Sequence, residues 1–222
     1  MPRVVDWGRR DYGESLTEMR SLVHQRRAGA IDDLLILVEH PPVVTVGVEG
    51  DDGAAAASGL PLVEVERGGR ATYHGPGQQV GYPIVDLDPR GHDVRRFVRD
   101  VEGIVVDALA GFGLRAGHVA GRPGVWVEER RKIASIGVAI DHWVSFHGFA
   151  LNVAPDLSSF ERFHPCGFEG SVMTSVSREL GRSMDLAEVR PGLIAGWEAH
   201  FGGPPPEATN PRSPAVRERL RA

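Results

Sequence analysis

Cys166 is the residue of this 222-residue chain best suited to covalent chemistry, because a thiolate is a strong nucleophile and the chain contains one cysteine. A single cysteine excludes an internal disulfide and a four-cysteine zinc cluster. Pro165 precedes it and Gly167 follows it, and both residue types favour turns over strand interiors. We therefore expect Cys166 on a turn that presents its thiol to a substrate. An inert buried thiol is the alternative.

Lys132 is the second candidate. It opens the small, apolar stretch KIASIG at 132–137, which is typical of the floor of a site. A nearby ammonium group lowers the pKa of a thiol from its usual value of about 8.5. A lysine whose own pKa is lowered by burial can also accept a proton from an incoming amine. The alternative is a surface lysine in a charged turn, since EERR at 128–131 precedes it.

Three histidines could serve as a base for the thiol: His74, His147 and His164. A Cys-His hydrolase would use one of them in this way. His147 lies in a predicted strand, where a packing role is equally open. A metal site formed by His147, His164 and Cys166 is disfavoured, because neither an HExxH motif nor paired-cysteine spacing is present.

The segment 67–81, RGGRATYHGPGQQVG, combines five glycines with several hydrogen-bonding side chains. A plain linker would be rich in glycine and serine and chemically quiet, whereas this composition is typical of a loop that cradles a ligand. No GxxxxGK[ST] phosphate loop occurs, and the glycines have the wrong order for a dinucleotide fingerprint. Nothing in the sequence therefore requires a nucleotide cofactor.

The elements that must position these residues alternate between helices and strands. Apolar periodicity predicts a long helix at 94–109 and a second one at 14–28. A capping box at Asp185 and Glu188 predicts a final helix to Phe201, kinked at Pro191, and 51–58 is a short helical turn. Apolar or alternating runs predict eight strands: 34–39, 43–47, 62–66, 80–87, 114–119, 124–128, 132–140 and 144–153.

This order of elements predicts an α/β (α+β) fold with one mixed β-sheet flanked by helices. We expect a single catalytic domain over 1–203 and a loose, proline-rich tail over 204–222. The net charge of −5 argues against a nucleic-acid partner. No apolar run approaches the roughly 18 residues that cross a bilayer, and the N-terminus lacks a signal-peptide core. We therefore expect no membrane partner and a cytoplasmic location.

Seven segments together resemble the lipoate-biosynthetic octanoyltransferase family. They occur in the family's order and span most of residues 36–180. They are EHPPVVTVG at 39–47, RGGRATYHGPGQ at 67–78, YPIVDL at 82–87, GRPGVWV at 121–127, RKIASIG at 131–137, HGFALNV at 147–153 and PCG at 165–167.

The resemblance implies a fold similar to the catalytic domains of biotin and lipoate ligases. It implies octanoyl transfer from octanoyl-acyl carrier protein to a lysine of a lipoyl domain, the first step of endogenous protein lipoylation, with no cofactor and no metal. Implied acceptors are apo lipoyl domains, such as those of 2-oxoacid dehydrogenase E2 subunits, and the glycine cleavage H protein. Cys166 matches the acyl-thioester nucleophile and Lys132 the lysine that tunes it. The implied acyl-substrate contacts are Arg67, Gly68, Gly69, Arg70, Ala71, Thr72, Tyr73, His74, Ser135, Ile136, Gly137, Gly148, Phe149 and Ala150.

Three other functions remain open on the residues alone. An ATP-dependent lipoate or biotin ligase would need no nucleophilic cysteine. A non-catalytic acyl-chain or lipoyl-domain binding protein would show no thiol-dependent turnover. A cysteine hydrolase would release its acyl-enzyme to water as readily as to an amine.

Overall fold

A mixed sheet of seven strands forms the centre of the structure, a computed structural model that describes residues 3–50, 53–162 and 170–203. Across the sheet the strands lie in the order β1-β2-β6-β10-β9-β8-β7. β1 and β2 are parallel and every other neighbouring pair is antiparallel. The strands are β1 (Arg3–Arg9), β2 (Leu34–Glu39), β6 (Gln78–Ile84), β7 (Ala116–Val119), β8 (Arg122–Val127), β9 (Arg131–Asp141) and β10 (Val144–Asn152).

A second, three-stranded sheet has the order β4-β3-β5 and consists of β3 (Val43–Val46), β4 (Leu62–Glu64) and β5 (Thr72–His74). β8 pairs with residues 131–134 of β9, and this pairing ends at Ala134. Beyond this point the amide of Gly68 donates to the carbonyl of Val138 at 2.9 Å. The loop between β4 and β5 therefore holds the small sheet against the free edge of β9.

Helices cover both faces of the seven-stranded sheet. α1 (Tyr12–Arg27) packs on one face, against alternate residues of β2 such as Ile36. α3 (Val94–Ala110) and α5 (Leu186–Phe201) pack together on the other face, against the intervening residues such as Leu35. α2 (Ala54–Ala57) and α4 (Val176–Leu180) are short. No helix within the described ranges is long and apolar enough to cross a membrane.

Local sequence accounts for where the long helices begin. The Asp11 side chain accepts from the amides of Gly13 and Glu14 at the start of α1, at 2.7 and 3.2 Å. The predicted capping box of Asp185 and Glu188 is present at the start of α5. These bonds satisfy amides that have no partner inside the helix. α5 continues through Pro191 as one helix.

The predicted fold class, a mixed sheet flanked by helices, is confirmed, and each predicted helix and strand has a counterpart. The strand predicted at 80–87 instead spans Gln78–Ile84. The sequence did not predict β1, β5 or α4, and β5 lies inside the segment interpreted as a loop. Residues 51–52 and the predicted tail at 204–222 lie outside the described ranges, so the domain boundary at 203 stays a prediction.

Candidate active site

A pocket opens on the α1 face of the large sheet, between β9, β10 and the loop that precedes β5. It encloses about 350 Å³ of empty space, including solvent at its mouth. Nine of the predicted substrate contacts line it: Arg67, Thr72, His74, Ser135, Ile136, Gly137, Gly148, Phe149 and Ala150. The structure therefore brings together three segments that are far apart in the sequence.

The other five predicted contacts, Gly68, Gly69, Arg70, Ala71 and Tyr73, do not line this pocket. They belong to the segment that carries Arg67 and His74, and Gly69 adopts a φ of +85°, where glycine is favoured. The sequence did not single out Tyr12, Val80 and Tyr82, which also line the pocket together with His147. Val80 lies in the segment 67–81 and Tyr82 in YPIVDL, but neither was expected to contact the substrate, and Tyr12 lies in no motif. Only the packing shows that all three line the pocket.

Two glycines shape the floor of the pocket. Gly137 of β9 is paired with Gly148 of β10. A Cβ atom at Gly137 would lie 2.9 Å from Cδ of Arg67, and one at Gly148 would lie 2.3 Å from the carbonyl oxygen of Gly81. Because real Cβ atoms do not approach other atoms so closely, these positions require glycine if the loop and β6 are to pack against the strands.

Arg67 brings a buried positive charge to the pocket wall. Its Nη2 donates to the carbonyl and to the Oγ1 of Thr45, both at 2.8 Å. Its Nη1 donates to the carbonyls of Arg70 and Gly68, at 2.9 and 3.1 Å. The turn at Gly69 wraps the backbone around the guanidinium, so that Arg67 organises the loop as well as lining the pocket.

Neutral tyrosine and histidine side chains, among them Tyr12, Tyr82 and His147, also line the pocket, and His40 contacts Tyr82 from outside the lining. Because the carbonyl of Arg10 can only accept, Nδ1 of His40 donates to it at 2.8 Å and Nε2 accepts from the Tyr82 hydroxyl, also at 2.8 Å. Burial lowers the pKa of His40 and of His147 to about 4 each. Burial likewise raises the pKa of Tyr12 to about 12. Burial also raises the pKa of Tyr82 well above its ordinary value, so all four side chains are uncharged near pH 7.

His74, one of the predicted site histidines, lies in β5 with its ring stacked on Tyr12 at a centroid distance of 5.7 Å. Burial lowers its pKa well below the ordinary value. Within the described ranges, neither its Nδ1 nor the Oγ1 of Thr72 has a hydrogen-bond partner. Buried polar atoms usually have one, so these two atoms are exceptions beside the pocket.

The buried histidines predict a pH-dependent stability. His40 is fully buried and its pKa of about 4 lies below that of the unfolded chain, about 6.5. The unfolded chain therefore binds more protons below pH 6.5. We expect His40 to contribute about 3 kcal/mol to the free energy of unfolding above that pH. This contribution is lost progressively as the pH falls toward 4.

Urea unfolding at several pH values between 7 and 4.5 measures this dependence. His40→Gln is expected to flatten it relative to the unaltered protein, whereas His118→Gln, at an exposed position of β7, should leave it unchanged. An equally steep dependence in His40→Gln would show that other groups are responsible.

Lys132 is 1% exposed, so the alternative of a surface lysine is wrong. β8 and β9 pair with a register shift, Val125 opposite Ala134 but Trp126 opposite Lys132. Because of this bulge, the consecutive residues Ile133 and Ala134 both join the core under α3 and α5. Ser135, the next residue, lines the pocket. The Lys132 ammonium lies 5.7 Å from the Trp126 ring centroid.

The chain that follows Cys166 returns to the strand of Lys132. Met173 forms an isolated parallel bridge with Lys132, and the amide of Thr174 donates to the Lys132 carbonyl at 2.9 Å. Cys166 and His164 themselves lie outside the described ranges, and so the turn expected at Cys166 stays a prediction. In the part of the chain that the structure covers, no cluster of three or more metal-ligating side chains occurs.

Comparison with known proteins defines the class of this fold and site. A family model described as the lipoyl protein ligase A/B catalytic domain matches residues 11–198. A structure of lipoate-protein ligase A bound with ATP has a TM-score of 0.69 at 19% identity, over 99% of this chain and 94% of that chain. A biotin protein ligase from Aquifex aeolicus, with biotin and ATP, has a TM-score of 0.54 at 11% identity, over 91% and 71%. The chain therefore has the lipoyl protein ligase A/B catalytic fold.

Closer relatives are the octanoyltransferases. That of Geobacter sulfurreducens is 45% identical over 206 residues, which cover 93% of this chain and 86% of the relative. That of Acidothermus cellulolyticus is 46% identical over 188 residues, covering 83% and 85%. The chain belongs to the octanoyltransferase family and is an acyltransferase. The family and the enzyme class expected from the seven segments are confirmed.

Proposed function

We propose that the protein transfers an octanoyl group from octanoyl-acyl carrier protein to a lysine of apo lipoyl domains, through a thioester on Cys166. The acceptors are lipoyl domains such as those of 2-oxoacid dehydrogenase E2 subunits, and the glycine cleavage H protein. The reaction is the first step of protein lipoylation and takes place in the cytoplasm. The observation that carries the proposal is the buried ammonium of Lys132, on the strand that continues into the pocket floor and next to the chain that follows Cys166.

The transfer consists of two exchanges at one carbonyl carbon. The Cys166 thiolate attacks the donor thioester, forms a new C–S bond and expels the thiolate of the carrier. The acceptor amine then attacks the acyl-enzyme, the C–N bond forms, and the Cys166 thiolate leaves. Each step is easier than direct transfer. Because thioester exchange is nearly isoenergetic and the amide is more stable than the thioester, no ATP is consumed.

Lys132 has a task in each step. As an ammonium group it favours the thiolate of Cys166 before the first attack, and it then gives its proton to the departing thiolate of the carrier, which leaves Lys132 neutral. In its neutral form it accepts the proton that the acceptor amine must lose.

The pocket beside Ser135 is the proposed acyl site. Its histidines and tyrosines are uncharged, and the paired glycines Gly137 and Gly148 let the loop and β6 pack closely around its floor. Backbone amides of 135–137 are candidate donors to the oxyanion of each tetrahedral intermediate. The loop contacts from Arg67 to His74 close the site from the small sheet, and we assign them to acyl binding.

The intact mass of the protein after mixing with octanoyl-acyl carrier protein tests the proposal. We expect one octanoyl adduct, located on Cys166 by peptide mapping, that disappears when an apo lipoyl domain is added and reappears on the domain. Free octanoate with ATP should give no product. An ATP-dependent product without an adduct would indicate a ligase, and an adduct lost equally fast without acceptor would indicate a hydrolase.

Gly137→Ala tests whether the pocket floor takes part. The added methyl group would lie 2.9 Å from Cδ of Arg67 and 3.1 Å from the carbonyl oxygen of Gly68, so the loop must move. We expect the single-turnover acylation rate to fall at least about tenfold, with a loss of about 1–3 kcal/mol in the free energy of unfolding.

Gly117→Ala is the matched control, because a Cβ at Gly117 of β7 meets no atom within 4 Å. Its stability should change by no more than about 0.5 kcal/mol and its rate should be unaltered. A normal acylation rate in folded Gly137→Ala would remove this part of the pocket from the proposed site.

A further inference from the structure

A second groove adjoins the acyl pocket on the same face of the sheet, and we call it the distal groove. It holds about 800 Å³ of empty space, open solvent included. Its walls come from α1, from Glu66, two residues after the end of β4, and from the far end of β9 and the beginning of β10. The residues that define it here are Arg20, Val23, Glu66, Ala139, Asp141 and Phe146.

The pocket and the distal groove lie along the same two strands. On β9, Gly137 lines the pocket and Ala139 lines the groove. On β10, Gly148 is the partner of Gly137 and lines the pocket. Phe146 is the partner of Ala139 and lines the groove. Two residues of a strand advance by about 6.7 Å, so the groove begins one such step beyond the pocket.

His147 stands between the two spaces. Regular alternation would direct its side chain to the α3 and α5 face, where Phe149 and Leu151 lie. Its φ of 56° departs from strand geometry, and its ring instead stacks on that of Phe146 at a centroid distance of 4.8 Å. His147 is 1% exposed. A left-handed backbone is rare for a buried residue other than glycine and persists where the surroundings enforce it.

Contacts from two other elements hold the ring in this position. The hydroxyl of Tyr12 lies 3.4 Å from Nδ1 of His147, within hydrogen-bond distance. On the opposite side, Nε2 of His147 faces the Glu66 carboxylate at 3.5 Å. Glu66 in turn pairs with Arg20 of α1. His147 thus lines the pocket on one side, while its neighbours Phe146 and Glu66 line the groove on the other.

The spacing of residues along β9 can be compared with the length of a chain of eight carbons. Ser135 and Ala139 are four residues apart, which is about 13 Å along β9. An extended octanoyl chain has seven C–C bonds and, at roughly 1.3 Å of rise per bond, is roughly 9 Å long. A chain whose carbonyl lies beside Ser135 therefore reaches the His147 ring and stops short of Ala139.

We infer that His147, held by Tyr12 and Glu66, is the stop that limits the acyl chain to about eight carbons, and that the distal groove is the space a longer chain enters when this stop is removed. The inference rests on the proposed acyl transfer through Cys166. It assigns His147 a role in specificity and none in proton transfer.

His147→Gly tests the inference, because glycine accepts the positive φ while removing the ring. Octanoyl- and dodecanoyl-carrier proteins compete for the enzyme, and intact mass gives the ratio of the two adducts. The unaltered protein should form the octanoyl adduct almost exclusively. In His147→Gly the dodecanoyl to octanoyl ratio should rise at least about tenfold, since the extra methylenes become buried in the groove.

His142→Gly is the matched control. His142 also has a positive φ, 47°, but its side chain is 59% exposed, in the turn between β9 and β10. Its adduct ratio should equal that of the unaltered protein. His147→Asn, in which a shorter side chain also tolerates the left-handed backbone, should give an intermediate ratio and serves if His147→Gly does not fold.

The outcomes distinguish a failure of the proposed acyl transfer from a failure of the role assigned to His147. An absence of any octanoyl adduct on the unaltered protein would contradict the proposed function. An adduct on the unaltered protein with no preference for eight carbons over twelve would overturn the stop. An unchanged ratio in a folded His147 variant would overturn it as well, and both of these results leave acyl transfer intact.

Discussion

Replacing Cys166 with serine is expected to abolish octanoyl transfer, lowering the single-turnover rate by roughly three orders of magnitude or more. A serine hydroxyl is far less acidic than a thiol, and an ammonium group at Lys132 favours a thiolate but is not a base that could activate an alcohol. The substitution replaces one sulfur atom with a smaller oxygen atom, so we expect the melting temperature to stay near that of the unaltered protein.

The measurement is the mass adduct together with transfer to an apo lipoyl domain. Because the chain has one cysteine, alkylation by iodoacetamide reports on Cys166 alone and should block transfer in parallel with its own extent. Cys166→Ala provides a second variant, without any hydroxyl. Near-normal turnover in folded Cys166→Ser would show that the acyl group does not pass through this residue.

Replacing Lys132 with methionine is expected to reduce transfer by a factor of about a hundred or more. Methionine keeps most of the buried aliphatic volume beside Gly124 and Trp126, so the change removes the amine with little loss of packing. Lys132→Ala would add a cavity and cost about 2–5 kcal/mol of stability. Comparing the two separates the chemical role of Lys132 from its structural role.

Two rates distinguish the tasks of Lys132. The alkylation rate of Cys166 against pH should shift to higher pH in Lys132→Met, because the thiolate loses its neighbouring charge. In Lys132→Arg the positive charge remains, and so alkylation should stay closer to normal while transfer to the amine acceptor fails, since arginine does not release its proton. An unchanged alkylation profile in Lys132→Met would show that the ammonium is not near the thiol.

The chemistry of Lys132 is also accessible directly. It is the one lysine in a chain with 24 arginines, so isotope labelling of lysine gives a single side-chain signal whose titration can be followed. The composition of the chain already pointed to Lys132, because every other Lys or Arg position in the sequence is arginine. Arginine cannot replace a group that must lose a proton.

Much of the fold follows from local sequence. α1 and α3 have apolar residues at helical spacing and an aspartate at the N-terminus, and both features act within a few residues. β2 is a continuous apolar run because both of its faces are covered by helices. The sequence did not predict β1 and β5, because these segments become strands by pairing with β2 and β3. Neither has an apolar pattern of its own.

The sequence by itself determined the candidate chemistry: the lone thiol, the lysine, the glycine-rich loop and the family they resemble. Only the tertiary structure decided which side chains meet. The bulge opposite Trp126 lets both Ile133 and Ala134 join the helix-side core before Ser135 lines the pocket. The positive φ of His147 turns its ring from the helix side onto Phe146. Both depend on backbone torsions that neighbouring strands enforce, and residue type alone does not encode such torsions.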